Sequence, residues 1–197
     1  MRTIKINYKG QFITRTRVFN NINKVLKQAN ASENIDWYQE ANTWCAGVAT
    51  KYSIPLNKVI GIVSALSPLK QWNLNKRITL EFITDNKSGH TKCQMNKANE
   101  IMANCKANDA FILKTLNGEK TKNFYLNIKY YNNAENLTVD RQALQVALGR
   151  ILNDSEMNMT SPQYNFFKEC YIYTANRLNI RPSLLQSITW LTWRRIK

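Results

Sequence analysis

Apolar residues recur along this chain with two different periods. Between residues 2 and 15 they alternate: Ile4, Ile6 and Tyr8, then Lys9-Gly10, then Phe12 and Thr14. A period of two, broken by a glycine-bearing turn, predicts a small basic β-hairpin over 1–15. From residue 16 onward the spacing is helical. Val18, Ile22, Val25 and Leu26 share one face of a helix over 16–29. Ser32 precedes a helix over 33–52 with Trp37, Ala41, Trp44, Cys45 and Val48 on its apolar side. Pro55 opens 56–66, where Val59, Ile60, Ile62, Val63, Ala65 and Leu66 leave few polar positions. A helix apolar all round belongs at the centre of a helical body.

Pro68 closes that helix, and an amphipathic pattern resumes over 71–85 through Trp72, Leu74, Ile78, Leu80, Phe82 and Ile83. A polar turn over 85–92 follows, holding the chain's one histidine, His90, which reads as a surface residue. Shorter helices are expected at 94–105, 108–116 and 119–131, then an Asn-rich loop and a helix over 140–152. Tyr164, Phe167, Tyr171 and Leu178 mark a helix over 161–178. Pro182 opens the last one, which ends in Trp190, Trp193, Arg194 and Arg195. The spacing of Trp190 and Trp193 places them on one helix face, as core residues. The expected fold is all-α with a small N-terminal β-hairpin: a hairpin over 1–15 and one helical domain over 16–197.

Charge changes this picture. The 197 residues carry 28 Lys and Arg against 13 Asp and Glu, a formal net charge of +15. The excess is spread through the helical pattern, so a polyanion, with DNA as the first candidate, is the expected partner. A plainer source is an AT-rich coding bias, which also fits the abundance of Asn and Lys. The four cysteines form no C-x-x-C pair, which argues against a zinc knuckle or an iron–sulfur cluster. They are expected as reduced thiols in a cytoplasmic protein. The start lacks a signal-peptide core, and no run of about eighteen apolar residues offers a membrane span. No metal and no organic cofactor is expected.

The chemistry concentrates in Gly118-Glu119-Lys120-Thr121 and Leu137-Thr138-Val139-Asp140-Arg141. Asp140 stands where the helix N-cap should be, so its carboxylate can accept from first-turn N–H groups. Held near the positive end of a helix, a carboxylate is favoured as an anion, and could stabilise a developing sugar cation. Lys120, twenty residues earlier, could supply an amine nucleophile. Each residue also has a plain structural reading: a solvated lysine, and a cap with no further role.

The order of these segments resembles the helix-hairpin-helix DNA glycosylase superfamily, in particular its endonuclease III branch. A buried helix ends in Ser64-Ala65-Leu66-Ser67-Pro68. An Asn75-Lys76-bearing helix follows, then Leu116-Asn117-Gly118-Glu119-Lys120-Thr121, Val139-Asp140, and a terminal Trp190-Leu191-Thr192-Trp193-Arg194 helix. The resemblance covers residues 56–195. It implies two helical lobes with a central cleft, the N- and C-terminal segments packing together and the middle helices forming the hairpin lobe.

By the same resemblance Lys120 is the lyase lysine and Asp140 the catalytic aspartate, both facing the cleft. Gly118 is the last glycine of a phosphate-binding hairpin, and residues 64–70 are a DNA-inserting loop. The implied DNA contacts are Ser67, Lys70, Gln71, Lys76, Gly118, Thr121, Lys122, Arg141 and Arg194. Lys70, Lys76, Arg77, Lys120, Lys122 and Arg141 would make a basic stripe. The implied activity is base excision by a DNA glycosylase with AP-lyase chemistry, in a bacterial or phage-infected cell. Three alternatives stay open, one of them a virion or interaction protein. The hairpin has one glycine where the family usually has two, which fits a non-catalytic helix-hairpin-helix DNA-binding protein. A phage base-hypermodification enzyme would use the same cleft for a different leaving group.

Overall fold

The computed structural model describes residues 4–33, 36–86, 89–133 and 136–197. Among these the chain is helical apart from one antiparallel hairpin, β1 Lys5–Tyr8 and β2 Gln11–Thr14. The expected hairpin segment 1–3 and the start of the helix expected at 33 (residues 34 and 35) lie outside the described residues. So do residues 87–88 of the 85–92 turn and 134–135 of the Asn-rich loop. The chain divides into two compact units. One is Met1–Tyr38 with Tyr130–Lys197; the other is Gln39–Lys129.

In the first unit the hairpin leads directly into α1, Arg15–Leu26, capped by the Thr14 hydroxyl, which accepts from the Arg17 N–H at 3.1 Å. Three further helices complete it: α8 Arg141–Leu148, α9 Ser161–Leu178 and α10 Pro182–Ile196. The buried sides of these helices interlock through Val18, Ile22, Leu144, Phe167, Tyr171 and Leu185. The hairpin contributes Tyr8 and Ile13 to the same core, and Tyr8 meets the Phe167 ring edge-to-face at 5.5 Å. Glu33 is buried but fully engaged. It accepts from Arg195 Nε at 2.7 Å, the Thr192 hydroxyl at 2.9 Å and the Asn30 N–H at 2.8 Å.

Helix α8 stops at Leu148, short of the expected 152. Gly149 adopts φ +70°, and the Arg150 N–H turns back to the Gln145 carbonyl, a Schellman-type stop. A Cβ at Gly149 would lie 2.9 Å from Asn21 Cγ. Asn21 needs that space, because its Nδ2 donates to the Ala147 carbonyl at 2.9 Å.

The second unit holds most of α2, Trp37–Tyr52, whose first two residues belong to the first unit. It continues with α3 Leu56–Ala65, α4 Trp72–Asp85, α5 Lys92–Ala103, α6 Asp109–Leu116 and α7 Glu119–Lys129. As the sequence predicts, α3 is central: residues 58–66 are all buried, and α4, α5, α6 and α7 pack on it. Gly61 permits the close approach, since a Cβ there would lie 3.0 Å from Ile112 and 3.2 Å from Ile101. The cationic head of Lys58 is satisfied inside this unit by the Met102 carbonyl at 2.9 Å.

Candidate functional site

The chain leaves α3 through a short turn at 67–70. The Ser67 hydroxyl donates to the Ser64 carbonyl at 2.9 Å, and the Lys70 N–H closes the turn on the Ser67 carbonyl at 3.1 Å. At its tip stands Leu69, 92% exposed and held at φ +61°. A leucine in the left-handed region is strained by its Cβ, and it buries nothing in return. Beneath the turn, Ser64 and Thr79 are buried with hydroxyls that have no partner among the described residues.

His90 braces this turn. The Thr91 N–H donates to Nδ1 at 2.7 Å, so the other nitrogen carries the proton, and Nε2 donates to the Pro68 carbonyl at 3.2 Å. Partial burial, followed by the Lys70 charge, pushes its pKa below the usual histidine value. His90 is therefore a clasp on the 67–70 turn and not the free surface residue that its position in a polar loop suggests. Neither Leu69 nor His90 stands out by residue type. The available signal for Leu69 is an apolar residue after Pro68 in a linker too short to fold back on the core.

The remaining candidates on this side are exposed or half-buried. Ser67 and Lys70 flank Leu69 in the turn. Gln71 is exposed at the N-cap position of α4 without a side-chain capping bond. Lys76 lies with Nζ 5.7 Å from the Trp72 ring centre, and Trp72 meets Trp44 edge-to-face. Arg77 is engaged with Glu81 at 3.5 Å.

The second candidate segment is the turn from α6 to α7. Asn117 takes φ +61° and ends α6, and Gly118 follows as the single linker glycine. The Thr121 hydroxyl donates to the Gly118 carbonyl at 2.9 Å, and the Lys122 N–H reaches the same oxygen at 2.9 Å. These bonds fix the start of α7, where first-turn N–H groups have no carbonyl within the helix. Lys120, the second residue of α7, is exposed. The neighbouring Glu119 carboxylate lies 4.0 Å from Lys122 Nζ, so Lys122 rather than Lys120 is its ion-pair partner. A shallow groove of about 570 Å³ between α5 and α6 runs up to Asn117, with Lys92, Lys97 and Lys114 on its walls.

In the first unit, Leu137, Thr138 and Val139 are buried and deliver Asp140 to the start of α8. Asp140 is half-buried and is the cap that its position predicts: Oδ1 accepts from the Ala143 N–H at 2.8 Å. Two buried tyrosines hold this corner. The Val139 N–H donates to the Tyr164 hydroxyl at 3.1 Å, and the Tyr171 hydroxyl donates to the Ala143 carbonyl at 3.1 Å. Burial pushes the Tyr171 phenol well above its ordinary pKa, and the Asp140 carboxylate adds to that rise.

Arg141 is engaged with Asp154 at 2.5 Å, which removes it from any uncompensated basic stripe. Arg194 is exposed, lying 5.2 Å from the Trp190 ring centre, and Trp190 packs edge-to-face on Trp37. Trp193 donates its ring N–H to Gln145 at 2.9 Å. Lys120 thus belongs to the Gln39–Lys129 unit and Asp140 to the other.

Among the described residues no helix is long and apolar enough to cross a membrane, and no cluster of His, Cys, Asp or Glu could hold a metal ion. The four cysteines are free thiols, Cys45 and Cys170 buried, Cys93 and Cys105 exposed. The chain belongs to DUF7178, a family of unknown function, whose model matches residues 5–197. No curated protein and no solved structure matches it.

Proposed function

We propose that this protein binds duplex DNA, pushes Leu69 into the base stack, and acts on the extruded nucleotide as a DNA glycosylase with AP-lyase chemistry. The observation that carries this reading is Leu69: an apolar side chain 92% exposed, at φ +61°, on a turn tied down by Ser67 and His90. Proteins that kink or unstack DNA insert apolar wedges of this kind, and an enzyme working on a base must first take it out of the stack. The net charge of +15 supports a polyanionic partner. This chemistry belongs where DNA is found, in the cytoplasm of a bacterial or phage-infected cell.

In this reading the start of α7 holds a backbone phosphate through its free N–H groups. The fixed Asp140 carboxylate stabilises positive charge developing on the sugar as the bond to the base breaks. The Lys120 amine attacks the anomeric carbon and loses a proton, and opening of the sugar ring gives a Schiff base. Loss of the C2′ proton to water then forms the C2′–C3′ double bond and expels the 3′ phosphate.

A second reading, a non-catalytic helix-hairpin-helix DNA-binding protein, is favoured by the setting of Lys120. Nucleophilic lysines are commonly desolvated, and Lys120 is exposed. Both readings require the Leu69 wedge, and fluorescence of 2-aminopurine in a duplex tests it. Base release and borohydride trapping separate the two.

A further inference from the structure

Not every described arginine has an acidic partner. Arg77, Arg141, Arg150, Arg181 and Arg195 each face a carboxylate. Arg17 and Arg194 have no such ion pair among the described residues, and neither do Arg15 and Arg177. Arg15 and Arg177 lie instead on one aromatic platform in the first unit, where Phe19 of α1 meets Tyr173 of α9 edge-to-face at 6.1 Å. The Arg15 guanidinium sits 4.1 Å from the Tyr173 ring centre. The Arg177 guanidinium lies 5.5 Å from Phe19 and 5.9 Å from Tyr173, and donates to the Tyr173 hydroxyl at 3.1 Å. A ring contact restrains a guanidinium but leaves its charge without an opposite charge, and beyond the Arg177–Tyr173 bond the remaining N–H groups can meet a ligand.

The surroundings reinforce this. The first 32 residues contain seven Lys or Arg and no Asp or Glu. Arg17, Asn20, Lys24 and Lys27 are exposed at helical spacing along α1 and its end, a basic strip about 15 Å long at 1.5 Å per residue. On the outer face of the hairpin, Lys5 covers the exposed Phe12 ring at 4.6 Å. Among the described residues no acidic side chain forms an ion pair with this strip or with the stacked arginines. Glu156 is held by Arg150, and Glu33 is buried against Arg195. Glu169, the one acidic residue of α9, pairs with neither stacked arginine. A lone anion needs one such cation cluster. An elongated strip with planar forks at its side fits a repeating phosphodiester.

We propose that Arg15 and Arg177, stacked on Phe19 and Tyr173, form with the basic strip of α1 a second binding surface, for the backbone of duplex DNA. It shares a ligand class with the function proposed above but needs neither the wedge nor Lys120 and Asp140. Its readout is the salt dependence of binding to an undamaged 30-base-pair duplex, followed by fluorescence anisotropy between 50 and 200 mM KCl. Each phosphate contact contributes a slope of about 0.9 in log affinity against log salt. Removing two contacts should therefore leave Arg15→Gln/Arg177→Gln with a loss about twelve-fold smaller than wild type over that fourfold range.

Arg15→Lys/Arg177→Lys keeps the charge and should keep the wild-type slope. Arg17→Gln/Lys24→Gln, at fully exposed positions, provides the same test should the platform variant melt early, and should also flatten the slope. Leu69→Gly removes no charge and should leave these slopes unchanged whether or not the protein processes bases. Wild-type slopes in both Gln pairs would overturn the proposal. So would absence of duplex binding, including binding to phosphatidylserine vesicles instead of DNA.

Discussion

Asp140 caps α8, and the proposed function gives it a second, separable job; one pair of substitutions pulls the two apart. Its Oδ1 caps α8 through the Ala143 N–H, a bond that the amide oxygen of asparagine can make from the same place. Asn and Asp are about equal as N-caps, so Asp140→Asn should change stability by no more than about 0.5 kcal/mol. Asp140→Ala loses the cap, at about 1 kcal/mol. For a chain of this size that lowers Tm by roughly 2–4 °C. Catalysis should sort the variants differently. Both lose the negative charge that the proposed function sets against the sugar, and losing one preorganised electrostatic group costs on the order of 100-fold in rate, or about 2.7 kcal/mol. The assay pairs thermal melting with single-turnover base release from duplexes carrying oxidised, deaminated or alkylated bases. Lys120→Gln serves as a control, expected to abolish borohydride trapping to an abasic site. An Asp140→Asn variant with wild-type base release would refute the catalytic assignment and leave a cap. Wild-type protein that releases no base and forms no adduct would leave the binding reading alone.

Two other perturbations test the surrounding structure. Gly149→Ala forces a side chain into φ +70° and against Asn21, displacing the Asn21–Ala147 bond. The sum, about 2 kcal/mol, should lower Tm by roughly 4–8 °C, and a wild-type melting temperature would contradict the packing argument. His90, as the sole histidine, gives one imidazole signal in an NMR titration. Its folded-state pKa is depressed, so the clasp contributes stability above the ordinary value of 6.5, and that contribution is lost as pH falls through the lowered pKa. A midpoint at or above 6.5 would show that the ring is not held neutral by the turn.

The helices were legible because each buries a face at a spacing that a single sequence displays. The all-round apolar pattern of 56–66 placed α3 at a centre, and Pro55, Pro68 and Pro182 marked element ends correctly. Asp140 was legible as a cap for the same reason: capping is a local property, decided within four residues. The end of α8 was misjudged because apolar Ile151 and Leu152 extend the pattern past Gly149, and only its left-handed φ and the Asn21 contact stop the helix.

The clasp of His90 on Pro68 joins residues 22 apart, and the stacking of Arg15 on Tyr173 joins α1 to α9. No periodicity encodes such partners. Exposure was the other hidden quantity. Residues 64–70 read as an inserting loop only through the family resemblance, and Leu69 stands out within it only once its side chain is seen to be 92% exposed.

The wedge is the claim on which the functional account turns, and 2-aminopurine reports on it directly. The probe is placed in the middle of a duplex, next to an abasic site or a modified base, and its fluorescence is followed on adding protein at saturating concentration. If the proposed wedge operates, wild-type protein unstacks the probe and raises its emission, since Leu69 stands exposed on a turn held by Ser67 and His90. Leu69→Gly relieves the backbone strain and removes the side chain, so it should remain folded, bind the duplex, and leave the emission at the level of free DNA. Equal emission from wild type and Leu69→Gly, with both bound, would contradict the account.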